Sequence, residues 1–180
     1  MVRTPYVLEK TGLVEIVPEK PMLRTLLLIL ASISFVVVIG GAVYEHLTSV
    51  PVWSSAVPAS LAMFQGEYAI TPFRFWIPIH PITMSLLLIA MILNWRTARR
   101  NFILVTIVGY ALVLASTFLF FVPELMAITQ STYSNTVDAA LTKRANTWEF
   151  LSLIRLGILL LLAVNLLWGL SKSDEVRKLN

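Results

Sequence analysis

Thr25-Leu-Leu-Leu-Ile-Leu-Ala-Ser-Ile-Ser-Phe-Val-Val-Val-Ile-Gly-Gly-Ala-Val-Tyr44 runs for twenty residues without a charge. As a helix rising about 1.5 Å per residue, it matches the roughly 30 Å hydrocarbon layer of a bilayer, and it predicts a membrane-spanning helix. Three more runs follow. Ile77–Trp95 and Asn101–Pro123 are also uncharged, and Trp148–Leu170 is interrupted only by Glu149 and Arg155. The whole chain agrees with this reading. Of its 180 residues 57% are hydrophobic and 13% charged, and its mean hydropathy is +0.79, too apolar for a water-soluble domain of this size. The expected fold is all-α, an integral membrane four-helix bundle with a structured extracytoplasmic loop layer. Its spans are expected at about 23–47, 77–96, 101–123 and 147–171, between a cytoplasmic arm, 1–22, and a cytoplasmic tail, 172–180.

The first run starts after more than twenty mixed residues, which argues against a cleavable signal peptide. Without cysteine there are no disulfides, thiolate ligands or thiol redox chemistry. The pI near 9.6 comes from basic residues beside helix ends rather than from an aromatic-interleaved patch, so nucleic acid is not an expected partner. Arg96, Arg99 and Arg100 crowd one short connection. Short basic loops stay in the cytoplasm, and four spans then put the arm, this turn and the tail inside, with ten of the fourteen Lys and Arg residues. The expected location is a bacterial inner membrane, N-in and C-in.

Within the spans, the second helix is expected to start at Pro78 or Pro81, where a missing N–H costs nothing in a first turn. Pro123 is expected to end or kink the third. Gly40-Gly41, and Gly109 with Ser116, read as close-packing positions. Asn94 and Asn165, both near inner helix ends, suggest an interhelical hydrogen bond. A helix capped by Ser134-Asn135-Thr136 would lead straight into the fourth span.

The stretch Tyr44–Pro81 holds both histidines, Glu45, Glu67, Trp53, Trp76 and five of the nine prolines. No other stretch is so mixed, and a polar, aromatic, proline-punctuated loop between two spans is the natural place for chemistry. Arg155 is the second pointer. An arginine inside a span costs about 2.5–3.5 kcal/mol by insertion scales and turns inward to a partner or a wet cavity. It lies about 10 Å below Trp148 along the helix. Glu45, at the outer rim of the first helix, is the carboxylate best matched to it in depth, whereas Glu149 faces another side of the same helix. The expected site is one outer cavity between the first, second and fourth helices, lined by Glu45, His46, His80, Trp148 and Arg155. Trp53, Trp76 and Glu149 are candidates for contacting substrate. His46 and His80 with Glu67 or another carboxylate form a donor set suited to iron, copper or zinc, although the spacing matches no fixed ligand motif, and two histidines also suit a b-haem. The plainer readings are an interfacial aromatic belt, hydrogen-bonding histidines and a structural Arg155–Glu45 clamp.

Trp148-Glu-Phe-Leu151-Ser152-Leu-Ile154-Arg155 resembles the Trp-x-x-Leu-His-x-Val-Arg signature that opens the last helix of small four-helix proteins of the anthrone-oxygenase-like family. The run through Gly40, Gly41 and His46 to Pro51, and the Leu61–Gln65 loop, are similar in layout, so the resemblance covers most of residues 25–170. The sequence departs in having Ser152 where the family often has His, and in a longer N-terminal arm. The resemblance implies oxygenation of an electron-rich aromatic or quinol-like substrate. A membrane oxidoreductase or oxygenase, with a lipophilic small molecule and the bilayer as partners and a homo-oligomer left open, is therefore the first expectation. A non-enzymatic membrane subunit or transporter, and a b-haem electron carrier, are the alternatives.

Overall fold

The computed structural model describes residues 20–173 of the chain, and over these it is all-helical. The elements are α1 (Lys20–Thr48), α2 (Val50–Ser54), a 3-10 turn (Ala59–Phe64), α3 (Phe73–Leu93), α4 (Arg100–Ser116), a π turn (Thr117–Phe121), α5 (Val122–Thr129) and α6 (Ala139–Leu170). Four stretches are long and apolar enough to cross a membrane: Pro21–Thr48, Phe73–Leu93, Arg100–Thr129 and Ala139–Leu170. The expected arm and tail lie outside the described residues, save that 20–22 form the first turn of α1 and 172–173 follow α6.

The helices form a ring in which α1 lies against α3 and α6, and α4 against the same two. The diagonal is bridged by side chains such as Phe35 and Tyr110, whose rings meet edge-on at 5.1 Å. The polarity is inverted relative to a water-soluble bundle. Ile33, Leu112, Leu161 and Val164 are exposed, while Ser32, Ser34, Thr83, Asn94, Thr106 and Ser152 are buried. Lipid offers polar groups no partners, so they turn inward and pair. Ser34 and Thr83 share a 2.6 Å hydrogen bond between α1 and α3. This is an integral membrane protein.

Several boundaries differ from expectation. Pro78 and Pro81 lie inside α3 rather than at its start, because Phe73–Trp76 adds a turn before them; each proline removes one ladder hydrogen bond. Pro123 does not end the third span. The Val122 N–H bonds back to the Thr117 carbonyl, a five-residue reach that widens the helix, and the chain runs on as α5. A helix does lead straight into the fourth span, but Asp138 caps it by accepting from the Ala140 and Leu141 N–H groups, not Ser134-Asn135-Thr136. Of the small residues, Gly41 and Gly109 are the packed ones. A Cβ at Gly41 would overlap the Phe75 ring and one at Gly109 the Leu162 side chain, whereas Gly40 meets nothing and Ser116 is exposed.

Two cores result. One lies between the spans and includes Leu28, Phe35, Leu87, Tyr110 and Leu166. The other, of Val50, Trp53, Val57, Leu61, Phe121, Ile128, Ala145 and Trp148, joins α2 and the 3-10 turn to the ends of the spans. This second core is the structured loop layer, and the Asp138 N–H bonded to the Val57 carbonyl at 2.8 Å sews it together.

At the opposite end Arg99 is buried and ties the start of α4 to α1 and to the end of α6. Its Nε donates to the Lys172 carbonyl at 2.9 Å, one Nη to Thr25 Oγ1 at 2.8 Å and the other to the Leu170 carbonyl at 3.4 Å. A guanidinium here satisfies carbonyls that the end of α6 leaves open. Arg99→Met is expected to destabilise the solubilised protein by about 1–3 kcal/mol, measured by reversible detergent unfolding, while Arg96→Met, at an exposed neighbour, leaves stability unchanged. Asn94 and Asn165 do not pair. Asn94 bonds within its own turn to Ala90, and Asn165 reaches α4 at the Phe102 carbonyl and Thr106 Oγ1.

Candidate functional site

Trp148, Ser152 and Arg155 stand on one face of α6, at positions i, i+4 and i+7. That face meets α4 where the π turn opens it. Arg155 Nη1 donates to Thr117 Oγ1 at 3.0 Å, and Nη2 to Ser152 Oγ at 2.9 Å. The guanidinium carbon sits 4.1 Å from the centre of the Phe121 ring, a cation–π contact. The widened turn thus supplies both the hydroxyl and the ring, four residues apart, and Thr117 can accept because its own proton goes to the Val113 carbonyl at 2.7 Å.

From α1, His46 Nε2 meets the same Ser152 Oγ at 3.1 Å, while its Nδ1 is buried and has no partner among the described residues. Glu149 accepts from Ser54 Oγ at 2.6 Å. Across the bundle, Glu45 Oε1 accepts from the Trp76 indole at 2.9 Å. Trp76 stacks on the His80 ring at 5.3 Å, and His80 Nδ1 bonds to the Tyr110 hydroxyl at 2.7 Å. Among the described residues no hydrogen bond joins this second cluster to Arg155; it adjoins the first through Glu45, the chain neighbour of His46 in α1.

His46 and Arg155 thus meet at Ser152, and Glu45 and His80 meet at Trp76, and two points differ from expectation. Arg155 and Glu45 are not an ion pair, because hydroxyls hold the first and an indole holds the second; among the described residues the one salt bridge is Arg144–Glu124, at 2.8 Å. The third span contributes as much as the others, through Tyr110, Thr117 and Phe121. None of these residues lines the open groove of about 480 Å³ between Pro58, Ser131, Asp138 and Leu141.

Trp53 and Trp148 are packed into the outer core, 2% and 6% exposed, with ring centres 5.4 Å apart. Trp148 adjoins the centre through Phe121, to whose carbonyl its Nε1 donates at 2.9 Å. Trp76 belongs to the site itself. Glu67 is exposed in the loop after the 3-10 turn, and no three His, Asp or Glu side chains among the described residues are grouped to hold a metal ion. The donor set expected for iron, copper or zinc is thus not assembled. A b-haem would need both imidazoles directed at one iron, whereas His46 sits with Ser152 and Arg155 and His80 with Trp76 and Tyr110.

Tyr110, Thr117 and Ser54 were not foreseen as members of the site. A lone tyrosine in the apolar run 101–123 was a usable signal, since a buried phenol hydroxyl needs a partner. Comparison with known proteins adds no identity: no family model matches the chain, and neither a curated protein nor a solved structure matches it significantly.

Proposed function

We propose that this protein is a membrane-embedded oxidoreductase or oxygenase that binds a lipophilic phenol- or quinol-like substrate near the outer face of the bilayer. The observation that carries the proposal is the state of Arg155. It is charged and held within a span, yet its partners are neutral hydroxyls and a ring, and its Nε–H has no partner among the described residues. Such a cation stabilises an oxyanion that forms beside it. Glu45, His46 and His80 are the acid–base groups close enough to serve the same centre, and the aromatic faces of Trp76 and Phe121 suit a planar substrate. The resemblance of residues 148–155 to the anthrone-oxygenase-like signature agrees with this chemistry. No metal or haem step is included, since the side chains present do not form a site for one.

The test is oxygen uptake by purified protein supplied with anthrone or with a short-chain ubiquinol analogue. Uptake that rises with substrate and falls in Arg155→Gln supports the proposal. Uptake equal to that of the variant with both substrates sinks it. One observation favours a second reading, a non-enzymatic subunit or transporter: the Arg155–Thr117 bond ties α6 to α4. In that case Arg155→Gln unfolds the protein rather than leaving it folded and inactive.

We further propose that the Arg96–Arg100 turn faces the cytoplasm of a bacterial inner membrane, which puts both termini inside and the site outside. Ser55 and Arg96 are both exposed. In intact cells, cysteine at Ser55 should react with an impermeant maleimide and cysteine at Arg96 should not. The reverse pattern would place the site inside.

A further inference from the structure

We infer that His46 and Arg155 form a two-donor cradle for an oxyanion on a lipophilic ligand, with His46 offering Nδ1–H as a hydrogen-bond donor and not as a base. The inference rests on the functional reading above and narrows it by giving His46 a role and the ligand an ionised oxygen. It begins at Ser152, a buried hydroxyl 2% exposed whose partners among the described residues are Arg155 Nη2 and His46 Nε2. A hydroxyl has one proton to give and two lone pairs. The guanidinium can only donate, so it occupies a lone pair. The hydroxyl proton, out of reach of water, then has one acceptor left, His46 Nε2. If Nε2 accepts, the neutral ring carries its hydrogen on Nδ1.

That Nδ1 is the buried atom without a partner. An unmatched buried donor costs about 1–3 kcal/mol, and such groups in folded proteins are uncommon enough to need an explanation. Glu45 Oε1, Glu149 Oε2 and His80 Nδ1 are taken up by Trp76, Ser54 and Tyr110, and no other acceptor among the described residues lies within hydrogen-bond distance of His46 Nδ1. A bound ligand supplies it. Arg155, bonded to the same Ser152, brings a positive charge and an Nε–H that no described residue accepts, and that charge asks that the acceptor be negative. A phenolate, an enolate and a carboxylate share this chemistry, and the surrounding bilayer requires an apolar body behind the charged oxygen. Taking up the substrate proton then falls to Glu45 or His80.

The chain has two histidines, so nitrogen-15 NMR of histidine-labelled protein in nanodiscs, with His80→Gln for assignment, reads the tautomer directly. His46 should carry its hydrogen on Nδ1, and Ser152→Ala should shift the equilibrium toward Nε2–H. Titration with 1-naphthol should move the Nδ1–H resonance, and Arg155→Gln should weaken this binding by about tenfold or more. A response to dodecanoate but not to 1-naphthol supports the cradle and assigns it to a carboxylate. The inference is overturned if wild-type His46 carries its hydrogen on Nε2, or if neither probe moves the resonance and bound water alone satisfies Nδ1. Substrate-dependent oxygen uptake with His46 unmoved would remove this inference and leave the enzyme. A shift without uptake would do the opposite.

Discussion

Arg155→Lys is expected to abolish turnover and ligand binding while leaving a folded protein in the membrane. A lysine preserves the charge but replaces five N–H groups in a planar fork by a single rotating ammonium. The fork now spans Thr117 and Ser152 at once, lies flat on the Phe121 ring and still presents Nε–H. An ammonium can hold one hydroxyl or face the ligand, not both. The loss of one or two charge-assisted hydrogen bonds of about 1.5–3 kcal/mol each corresponds to a drop of between about 10-fold and about 10⁴-fold in kcat/KM for quinol oxidation. Oxygen uptake and 1-naphthol titration should agree on it. Glu45→Gln should be milder, since an amide oxygen still accepts from Trp76. A double-mutant cycle between Glu45→Gln and Arg155→Gln should give a small coupling because the two are not in contact. Strong coupling would restore the ion-pair clamp.

The largest effect on stability is expected at Trp148. Its ring is a shared wall of the outer core, edge-on to Trp53 at 5.4 Å and to Phe121 at 6.0 Å. Trp148→Ala removes that volume from the core that joins α2 to the spans and should cost about 3–5 kcal/mol. Trp148→Phe keeps most of the packing but leaves the Phe121 carbonyl, which belongs to the π turn, without its indole donor; about 1–3 kcal/mol should follow. Thermal unfolding in detergent, followed by near-UV circular dichroism, separates the two. Because Phe121 also lies against the Arg155 guanidinium, Trp148→Phe should weaken 1-naphthol binding as well. Unchanged binding would mean that the outer core and the centre are independent.

The spans were legible because lipid demands about twenty uncharged residues and the chain supplies four such runs. Arg155 stood out for the same reason, as a charge that an apolar span cannot leave unpartnered, while His46, His80 and Glu45 stood out because the stretch 44–81 is so mixed. Their pairing was not legible. Depth along a helix suggested Glu45 for Arg155, but depth says nothing of rotation about the bundle axis, and the hydroxyls of Thr117 and Ser152 looked like ordinary span residues. Ser152 in particular stood out only as a departure from a motif, yet it joins His46 to Arg155. The π turn was hidden too: Pro123 signals an interruption, and whether the helix stops, bends or widens there is decided by what packs against it, here Trp148 and Arg155.

Arg99, in the turn between the second and third spans, bonds to the carbonyls of Leu170 and Lys172, which are among the last described residues of the chain. Thr106 and the Phe102 carbonyl, in the third span, likewise receive Asn165 from the fourth. Synthesis runs from the N-terminus, so these polar groups exist before their partners do. Three spans alone would have to carry a guanidinium without its carbonyl partners, and open acceptors, at the margin of the lipid. Insertion of the fourth span closes them together, which makes the newborn protein's final step a latch, and makes a chain cut short after the third span a target for removal.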